Sequence, residues 1–423
     1  MKLTPALLTA IALPLSAAAP GGSGFLNVAV HGKRDEAQAP VNNYLAAPVH
    51  ARDGAGFVSV PVHRKRGLPT AAARQKRDEE YVRLENTVSM YTADLGIGTP
   101  PQYVQVVLDT GSSDLWVYRE GVQLNDVNET YNPDKSSSFH FVSDGFEIEY
   151  VSGANRGHYA DEDMRMGELE LNSQRFAYVD DVSDSSPEVN GILGIGLPSG
   201  EAGNTKYPNL PQSLADQGLI RKNAYSLFLD DLDGSCGSIL FGGVDDTKYK
   251  GDLKTVPLTS QQSLEVAVSV EGSKELRAVL DSGTSLTYIP GDLVAQIASK
   301  LGAIYDLQYQ MYFVADPVPD HVTVEFSFSG HTIAVPGSEL AVKATKYEVT
   351  NSAYPYVLTI APSESTQGIV LLGDSFLRSA YVVYDLEDRK IALAQASYDN
   401  TNSNVKVIEN DIPGAQPAPN ANF

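Results

Sequence analysis

The sequence has few of the covalent or membrane features that hold many chains in place. Cys236 is the only cysteine among 423 residues, so no disulfide can form within the chain, and we expect this cysteine to be a small buried residue. After the N-terminus there is no uninterrupted apolar run of about 18 residues, so we expect no transmembrane segment in the mature chain. Core packing must therefore supply the stability.

Motifs of several common enzyme classes are also missing. The seven histidines are scattered without metal-ligand spacing and no HExxH occurs, which disfavours a zinc hydrolase. No G-x-S-x-G is present, and the Gly-rich stretches "LGIGTPPQ" and "GILGIGL" lack the lysine of a phosphate loop. We therefore expect neither a metal nor a cofactor.

Strand patterns dominate what is present. Segments such as "YVQVVLD", "SLEVAVSV", "VTVEFSF" and "KIALAQA" favour β-branched and aromatic residues, most of them in alternation. The best helical patterns cover residues 211–220 and 290–302. A chain of 423 residues is longer than a domain with a single hydrophobic core usually is. The sequence predicts a mostly-β protein with two lobes.

The N-terminus begins with a targeting pattern. Lys2 precedes an apolar run that ends in small residues, which predicts a signal peptide over residues 1–18. A membrane anchor is the weaker alternative, because the run is short and Pro14 interrupts it. We expect the mature protein to be secreted.

The next segment differs from the rest of the chain in charge. Residues 19–77 contain nine Lys or Arg and three Asp or Glu, whereas residues 78–423 have a net charge of −29. We interpret 19–77 as a propeptide that is cut after the dibasic pair Lys76 and Arg77. A basic tail that binds nucleic acid is the alternative, but a signal peptide disfavours that partner. Opposite charges are expected to hold the propeptide on the body as an intramolecular inhibitor and to release it in acid.

One short phrase occurs twice in the acidic body. "VVLDTGSSDLWV" contains Asp109 and "AVLDSGTSLTYI" contains Asp281, 172 positions later. Each copy is followed by a second short element, "NGILGIG" with Gly194 and "GIVLLGD" with Gly373. The pattern indicates a duplicated chain with one copy of the phrase in each half.

Two such loops brought face to face would pair their acids. Carboxyl groups about 3 Å apart cannot both ionise easily, so they share one proton and their apparent pKa values split. One carboxylate can then take a proton from a trapped water while the other carboxyl protonates a substrate carbonyl. The pattern predicts direct amide hydrolysis without a metal or covalent intermediate. A two-carboxylate glycosidase stays open, although its acids need not lie in duplicated glycine turns.

The residues around the two acids have predicted supporting roles. The glycines permit a tight turn and a close backbone approach. The second hydroxyl residue of each phrase can donate to a carboxylate, and the first can brace one loop against the other. These supporting residues are Thr110, Gly111, Ser112, Ser282, Gly283 and Thr284.

From about residue 81 to 397 the chain resembles the pepsin-type aspartic proteases, and among them the secreted and yapsin-like enzymes of fungi. The resemblance implies a bilobal, mostly-β fold with a cleft between the lobes and one catalytic acid from each, Asp109 and Asp281. It also implies a flap hairpin that carries Tyr150 over the cleft, with Trp116 as the hydrogen-bond partner of that tyrosine.

The resemblance also divides the chain. We expect an N-terminal lobe over residues 78–254, a C-terminal lobe over 255–400 and a flexible C-terminal tail over 401–423. Asn128 lies in the sequon Asn-Glu-Thr and is a candidate glycosylation site.

Together these features predict a secreted, monomeric endopeptidase that works in acid on peptide or protein substrates, with large apolar residues beside the cut. The nearer alternative is a yapsin-like processing protease selective for basic residues. Ser152 stands where some such relatives have an acidic side chain, which weakens that alternative. A catalytically silent homologue that only binds peptides is the more distant one. Association with the cell wall stays open.

Overall fold

The structure is a computed structural model that describes residues 56–66, 89–122, 127, 129–150, 153–167, 169–182, 190–230, 236–307, 309–347, 353–398, 400 and 402–423. The predicted signal peptide, the dibasic pair Lys76 and Arg77, and Asn128 lie outside the described residues. Among the described residues, no helix has the length and apolar character that crossing a bilayer requires.

Strands account for most of the regular structure, and they coincide with the alternating segments of the sequence. In the first half they are β1 (Val58–Arg66), β2 (Ser89–Ile97), β3 (Gln102–Asp109), β4 (Leu115–Tyr118), β5 (His140–Tyr150), β6 (Gly153–Met166), β7 (Leu169–Val182), β8 (Gly191–Gly194), β9 (Ala224–Phe228), β10 (Cys236–Phe241), β11 (Gly243–Asp245) and β12 (Tyr249–Pro257).

The second half continues in the same way. Its strands are β13 (Glu265–Val270), β14 (Leu276–Leu280), β15 (Thr287–Ile289), β16 (Ile304–Asp306), β17 (Met311–Val314), β18 (Thr323–Phe328), β19 (His331–Pro336), β20 (Ala341–Lys343), β21 (Tyr356–Leu358), β22 (Ile360–Pro362), β23 (Val370–Leu372), β24 (Ala380–Asp385), β25 (Lys390–Ala396), β26 (Val405–Val407) and β27 (Gln416–Pro417).

Helices are few and short in the described chain. They are α1 (Leu210–Asp216), α2 (Gly291–Lys300), α3 (Gly337–Leu340) and α4 (Asp374–Leu377). The first two match the helical patterns expected at 211–220 and 290–302. On α2, the spacing of the buried residues Val294, Ile297 and Ala298 puts one apolar face against the sheets.

One large sheet links the two halves. Its order is β27-β12-β25-β24-β9-β10-β1-β2-β3-β8-β4-β7-β6-β5, and β9 pairs antiparallel with β24 across the halves. A seven-stranded sheet, β19-β18-β13-β14-β23-β15-β22, belongs to the second half. The predicted lobe boundary between residues 254 and 255 falls within β12, a strand of the sheet that joins the halves.

The duplication seen in the sequence recurs in the strand pairing. In the first half β3 runs parallel to β8, and β8 pairs antiparallel with β4. In the second half β14 runs parallel to β23, and β23 pairs antiparallel with β15. Each arrangement ends at one copy of the doubled phrase, so both phrases occupy the same local architecture.

Strand β1 lies inside the segment predicted as a propeptide. Val58 to His63 pair with β10, and His63 to Arg66 pair with β2. Val60 is buried and joins the main hydrophobic core. Part of the 19–77 segment is therefore an inner strand of the large sheet, and a cut after Arg77 would break its covalent link to β2.

Residues 402–423, which the sequence analysis assigned to a flexible C-terminal tail, lie against the body in the structure. There β26 pairs with β11, and β27 runs parallel to β12. Ile408, Ile412 and Ala418 are buried against the body. The segment lacks the alternation of a long strand, but three apolar side chains and short backbone pairings suffice to hold it.

Candidate active site

The two copies of the doubled phrase meet between the halves. Thr110 and Ser282 hold the loops together through a reciprocal set of hydrogen bonds. Thr110 N–H donates to Ser282 Oγ at 3.1 Å, and Ser282 N–H donates to Thr110 Oγ1 at 2.9 Å. Each hydroxyl also donates to a carbonyl of the other half, at 2.8 Å in both cases: Thr110 Oγ1 to Leu280 and Ser282 Oγ to Leu108. Four buried hydrogen bonds therefore fix the relative position of the two loops.

This brace brings the carboxyl groups of Asp109 and Asp281 into a shared hydrogen bond. Both side chains are at most 2% exposed. The glycine of each phrase faces the acid of the other half. A Cβ on Gly111 would lie 2.5 Å from Asp281 Oδ1, and one on Gly283 would lie 2.5 Å from Asp109 Oδ1. Only glycine at these two positions leaves room for such an approach.

Burial sets the electrostatics of the pair. It raises the pKa of Asp109, against hydrogen bonds such as that from Gly111 N–H, which lower it. Burial, followed by the nearby charge of Asp109, raises the pKa of Asp281 well above its ordinary value. Two carboxyls this close in an interior favour a single shared proton.

The hydroxyl residues beside the acids differ between the halves. Thr284 Oγ1 donates to Asp281 Oδ2 at 2.6 Å. Ser112 lies close enough to Asp109 to lower its pKa. Its buried Oγ nevertheless makes no hydrogen bond of standard geometry with a described residue. By this geometry the carboxyl of Asp281 is the better anchored of the two.

The second element of each repeat supports the loop from behind. A Cβ on Gly194 would lie 2.6 Å from the backbone nitrogens of Ser113 and Asp114. A Cβ on Gly373 would lie 2.3 Å from the carbonyl oxygens of Thr284 and Leu286. The paired "NGILGIG" and "GIVLLGD" elements therefore carry glycine because the active loops press directly on their backbones.

The predicted flap is a hairpin of β5 and β6. Tyr150 is the last residue of β5 and pairs with Gly153 of β6, but its side chain lies outside what the structure describes. Trp116 in β4 is buried and packs edge-on against Tyr118 at 5.2 Å between ring centroids. The predicted hydrogen bond between Trp116 and Tyr150 stays a prediction.

A group of buried acids behind the first loop was not found by sequence reasoning. Asp114 accepts hydrogen bonds from Tyr207 Oη at 2.8 Å and from Ala202 N–H at 2.7 Å. Glu201 accepts from Tyr207 N–H at 2.9 Å, and burial raises its pKa to about 9. Burial also raises the pKa of Asp114. Only the place of Asp114 in the repeated phrase marks this cluster in the sequence.

Comparison with known proteins identifies the family. The family model described as eukaryotic aspartyl protease matches residues 90–396, well over half of the chain. The chain belongs to the eukaryotic aspartyl protease family. It is an aspartic endopeptidase, and the resemblance read from the doubled phrase is confirmed.

Relatives from fungi span most of the chain. It is 38% identical to secreted aspartic protease 4 of Candida albicans over 354 residues, 79% of this chain and 82% of the relative. It is 37% identical to aspartic proteinase yapsin-3 of Saccharomyces cerevisiae over 389 residues, 82% of this chain and 74% of the relative. Both secreted and yapsin-type aspartic proteases are therefore among its relatives.

A solved structure supports the fold. The aspartic proteinase from Irpex lacteus is similar with a TM-score of 0.65, at 23% identity, over 82% of this chain and all of that one. This likeness confirms the mostly-β, bilobal fold expected for an aspartyl protease.

Proposed function

We propose that this protein is a secreted aspartic endopeptidase that cleaves peptide bonds in acid with a water molecule held between Asp109 and Asp281. The observation that carries the proposal is the pair of buried carboxyls, one from each half, joined by a hydrogen bond.

Burial raises the pKa of both acids, and the charge of Asp109 raises that of Asp281 further. In the proposed mechanism Asp281 therefore carries the shared proton. Asp109 accepts a proton from the water as the water oxygen attacks the carbonyl carbon, and Asp281 gives its proton to the carbonyl oxygen. In the second step the C–N bond breaks, Asp109 protonates the leaving nitrogen, and the collapsing diol returns a proton to Asp281. Both acids end in their starting states.

The charge of the protein fits an acidic niche. The body from residue 78 onward carries a net charge of −29 at neutral pH. Falling pH moves this charge towards zero and weakens its attraction for a basic propeptide. Strand β1 supports a propeptide that is part of the fold before cleavage, because it fills the space between β2 and β10. Cleavage at Lys76 and Arg77 is part of this proposal.

Substrates are proposed to bind extended in the cleft beneath the β5–β6 hairpin, paired through their backbones like an added strand, with large apolar residues beside the cut. Tyr150 would line that cleft, and Trp116 would hold its hydroxyl group by a hydrogen bond. A processing protease selective for basic residues is the second candidate, and the acidic body favours it. Cleavage of a peptide library separates the two, because Lys or Arg at every cut would establish the second.

Secretion is proposed from the predicted signal peptide and from the secreted aspartic proteases among the relatives. We also propose a monomer that carries a glycan on Asn128. Retention in the cell wall is the alternative, and fractionation of culture medium and wall would decide it.

The central experiment is incubation of acid-treated protein with a denatured protein substrate between pH 3 and 5. We expect cleavage that a statine-type transition-state inhibitor blocks. Substrate bound but never cut would instead support a catalytically silent homologue that only binds peptides.

A further inference from the structure

The short segment Ile195–Gly196 links the loop of Asp109, through hydrogen bonds, to two buried side chains that are far from the doubled phrase in the sequence. Ile195 N–H donates to the carbonyl of Asp109 at 2.9 Å, and Gly196 N–H donates to the carbonyl of Ser112 at 2.7 Å. The N–H groups of two successive residues thus hold the active loop at both ends. The position of the loop depends on what holds this segment in turn.

The carbonyl groups of the same two residues are held by side chains. Tyr225 Oη donates to the carbonyl of Ile195 at 3.0 Å, and Asn209 Nδ2 donates to the carbonyl of Gly196 at 2.8 Å. Both side chains are buried. Both N–H groups of Ile195 and Gly196 therefore donate to the active loop, and both carbonyl groups accept from Tyr225 and Asn209.

The position of Asn209 indicates that this contact has a use beyond local structure. Asn209 is the N-cap residue of α1, where an asparagine side chain usually accepts a hydrogen bond from the first turn of the helix. Here its side chain makes no capping bond. Its amide is committed to Gly196 instead, and its Oδ1 is buried without a partner among the described residues. Capping of α1 is given up for support of the active-loop segment.

Tyr225 is rigidly placed for the same task. It lies on β9 directly opposite Tyr384 of β24, and the two rings stack at 4.9 Å. Burial raises the pKa of Tyr225 well above its ordinary value, with contributions from Tyr384 and Asp109. The phenol therefore stays a neutral donor at any pH at which the enzyme would work.

We propose that Tyr225 and Asn209 are positioning residues that set the placement of Asp109 relative to Asp281 through the Ile195–Gly196 segment. The proposal rests on the proposed role of these two acids. Neither side chain touches the reacting atoms; each acts through one backbone carbonyl. Loss of either donor frees a carbonyl whose residue holds the active loop, so Asp109 drifts from its partner.

The test compares Tyr225→Phe with Tyr381→Phe. Tyr381 lies on β24 but packs into a different core cluster from Tyr225. Its hydroxyl donates to Ser226 Oγ at 2.7 Å and accepts from Asp245 N–H at 2.8 Å. The control variant thus loses at least as many hydrogen bonds from the same pair of strands, with no connection to the active loop.

We expect Tyr225→Phe to lower kcat about tenfold with KM unchanged within about twofold. The two apparent pKa values of its kcat profile should also move closer together, because displaced carboxyls influence each other less. Tyr381→Phe should lower Tm at least as much, with kcat and its pH profile unchanged. Asn209→Ala provides a second route to the same segment and should change kcat and the pH profile in the same direction, even if Tyr225→Phe does not fold.

Full kcat and an unchanged pH profile in Tyr225→Phe or Asn209→Ala would overturn the proposal, as would an equal loss of kcat in Tyr381→Phe. This failure is distinct from failure of the proposed function. In the first case the wild type is active and depends on both acids. In the second, replacement of Asp109 or Asp281 leaves activity intact.

Discussion

The two halves of the molecule present the same loop by different means. In the second half the segment behind the loop is the start of α4, where Asp374 N–H donates to Thr284 O at 2.7 Å. The carbonyl of Gly373 accepts from Phe376 and Leu377, so the helix backbone holds this segment. In the first half only a single 3-10 turn, Pro198–Gly200, follows, and side chains supply the donors instead: Tyr225 to the carbonyl of Ile195 and Asn209 to that of Gly196. Duplication preserved the chemistry of the loop but not its support.

The two active loops are therefore supported by different kinds of interaction. The first half depends on neutral hydroxyl and amide donors and on a cluster of buried acids around Asp114. The second half depends on a short helix, which ends beside a buried ion pair between Arg378 and Glu339, with Nε and Oε2 2.5 Å apart. The stability of a support made of acids changes with pH. The stability of the short helix depends instead on the ion pair at its end, which we call the anchor of α4.

At the level of chemistry, the halves should be equivalent. Asp109→Asn and Asp281→Asn are each expected to lower kcat by more than about a thousandfold, because each removes one member of a pair that acts as a unit. KM should change little. Activity assays at pH 3 to 5 measure both, and the double variant should be no worse than either single one. A single variant that keeps substantial activity would show that the halves are unequal even in chemistry.

Loss of the anchor of α4 should cause the largest decrease in the free energy of unfolding among the changes to the supports of the two loops. Glu339→Gln leaves the Arg378 guanidinium buried without its counter-charge, and burial of an unpaired charge costs about 3–5 kcal/mol. Chemical denaturation at pH 5 measures the loss. Glu120→Gln is the control, since it removes an exposed ion pair with Lys135 in the first half and should leave the midpoint almost unchanged. Equal losses in the two variants would contradict this account of the helix anchor.

The support of the first half should titrate through Glu201. Its pKa is raised from 4.5 to about 9 in the folded protein. Between these values the folded state keeps a proton that the unfolded chain has lost, so stability is full below about pH 4.5 and falls as the pH rises towards 9. We expect Glu201→Gln to remove this dependence and to be more stable than wild type at pH 7 by about 3 kcal/mol. Unfolding free energies at pH 5 and pH 7 test it; parallel pH dependence in both proteins would argue against the assignment.

The brace between the loops is the most symmetric feature, so removal of its hydroxyl group from either half should lower kcat equally. Thr110→Val and Ser282→Ala each delete one hydroxyl that accepts one hydrogen bond and donates another. We expect each to lower kcat by about thirtyfold, the equivalent of about 2 kcal/mol. The double variant should lose less than the product of the two effects, because the four bonds are shared. Strictly multiplicative effects would mean that the hydroxyls act independently.

Sequence alone predicted the parts of the site whose residues recur close together in both halves of the chain. The apolar strand, the acid, the glycine and the two hydroxyl residues recur within a few positions, so the repeat itself marks Asp109, Asp281 and their brace. The matching glycines Gly194 and Gly373 were visible for the same reason.

The supports could not be predicted because their contacts are long-range. Tyr225 lies 116 positions after Asp109, in a strand whose residues are all buried, so alternation gives no indication of where its hydroxyl points. Asn209 looks like an ordinary helix cap in the sequence. The packing of the C-terminal segment was not predicted because its apolar residues, Val405, Val407, Ile408 and Ile412, are too few to show a clear period.

The most direct test of the shared-proton pair is the pH dependence of kcat/KM on one peptide substrate from pH 2 to 8. The account predicts a bell with its maximum in acid and two apparent pKa values that belong to the pair. A single rise towards a neutral plateau, as one histidine base would give, would contradict it.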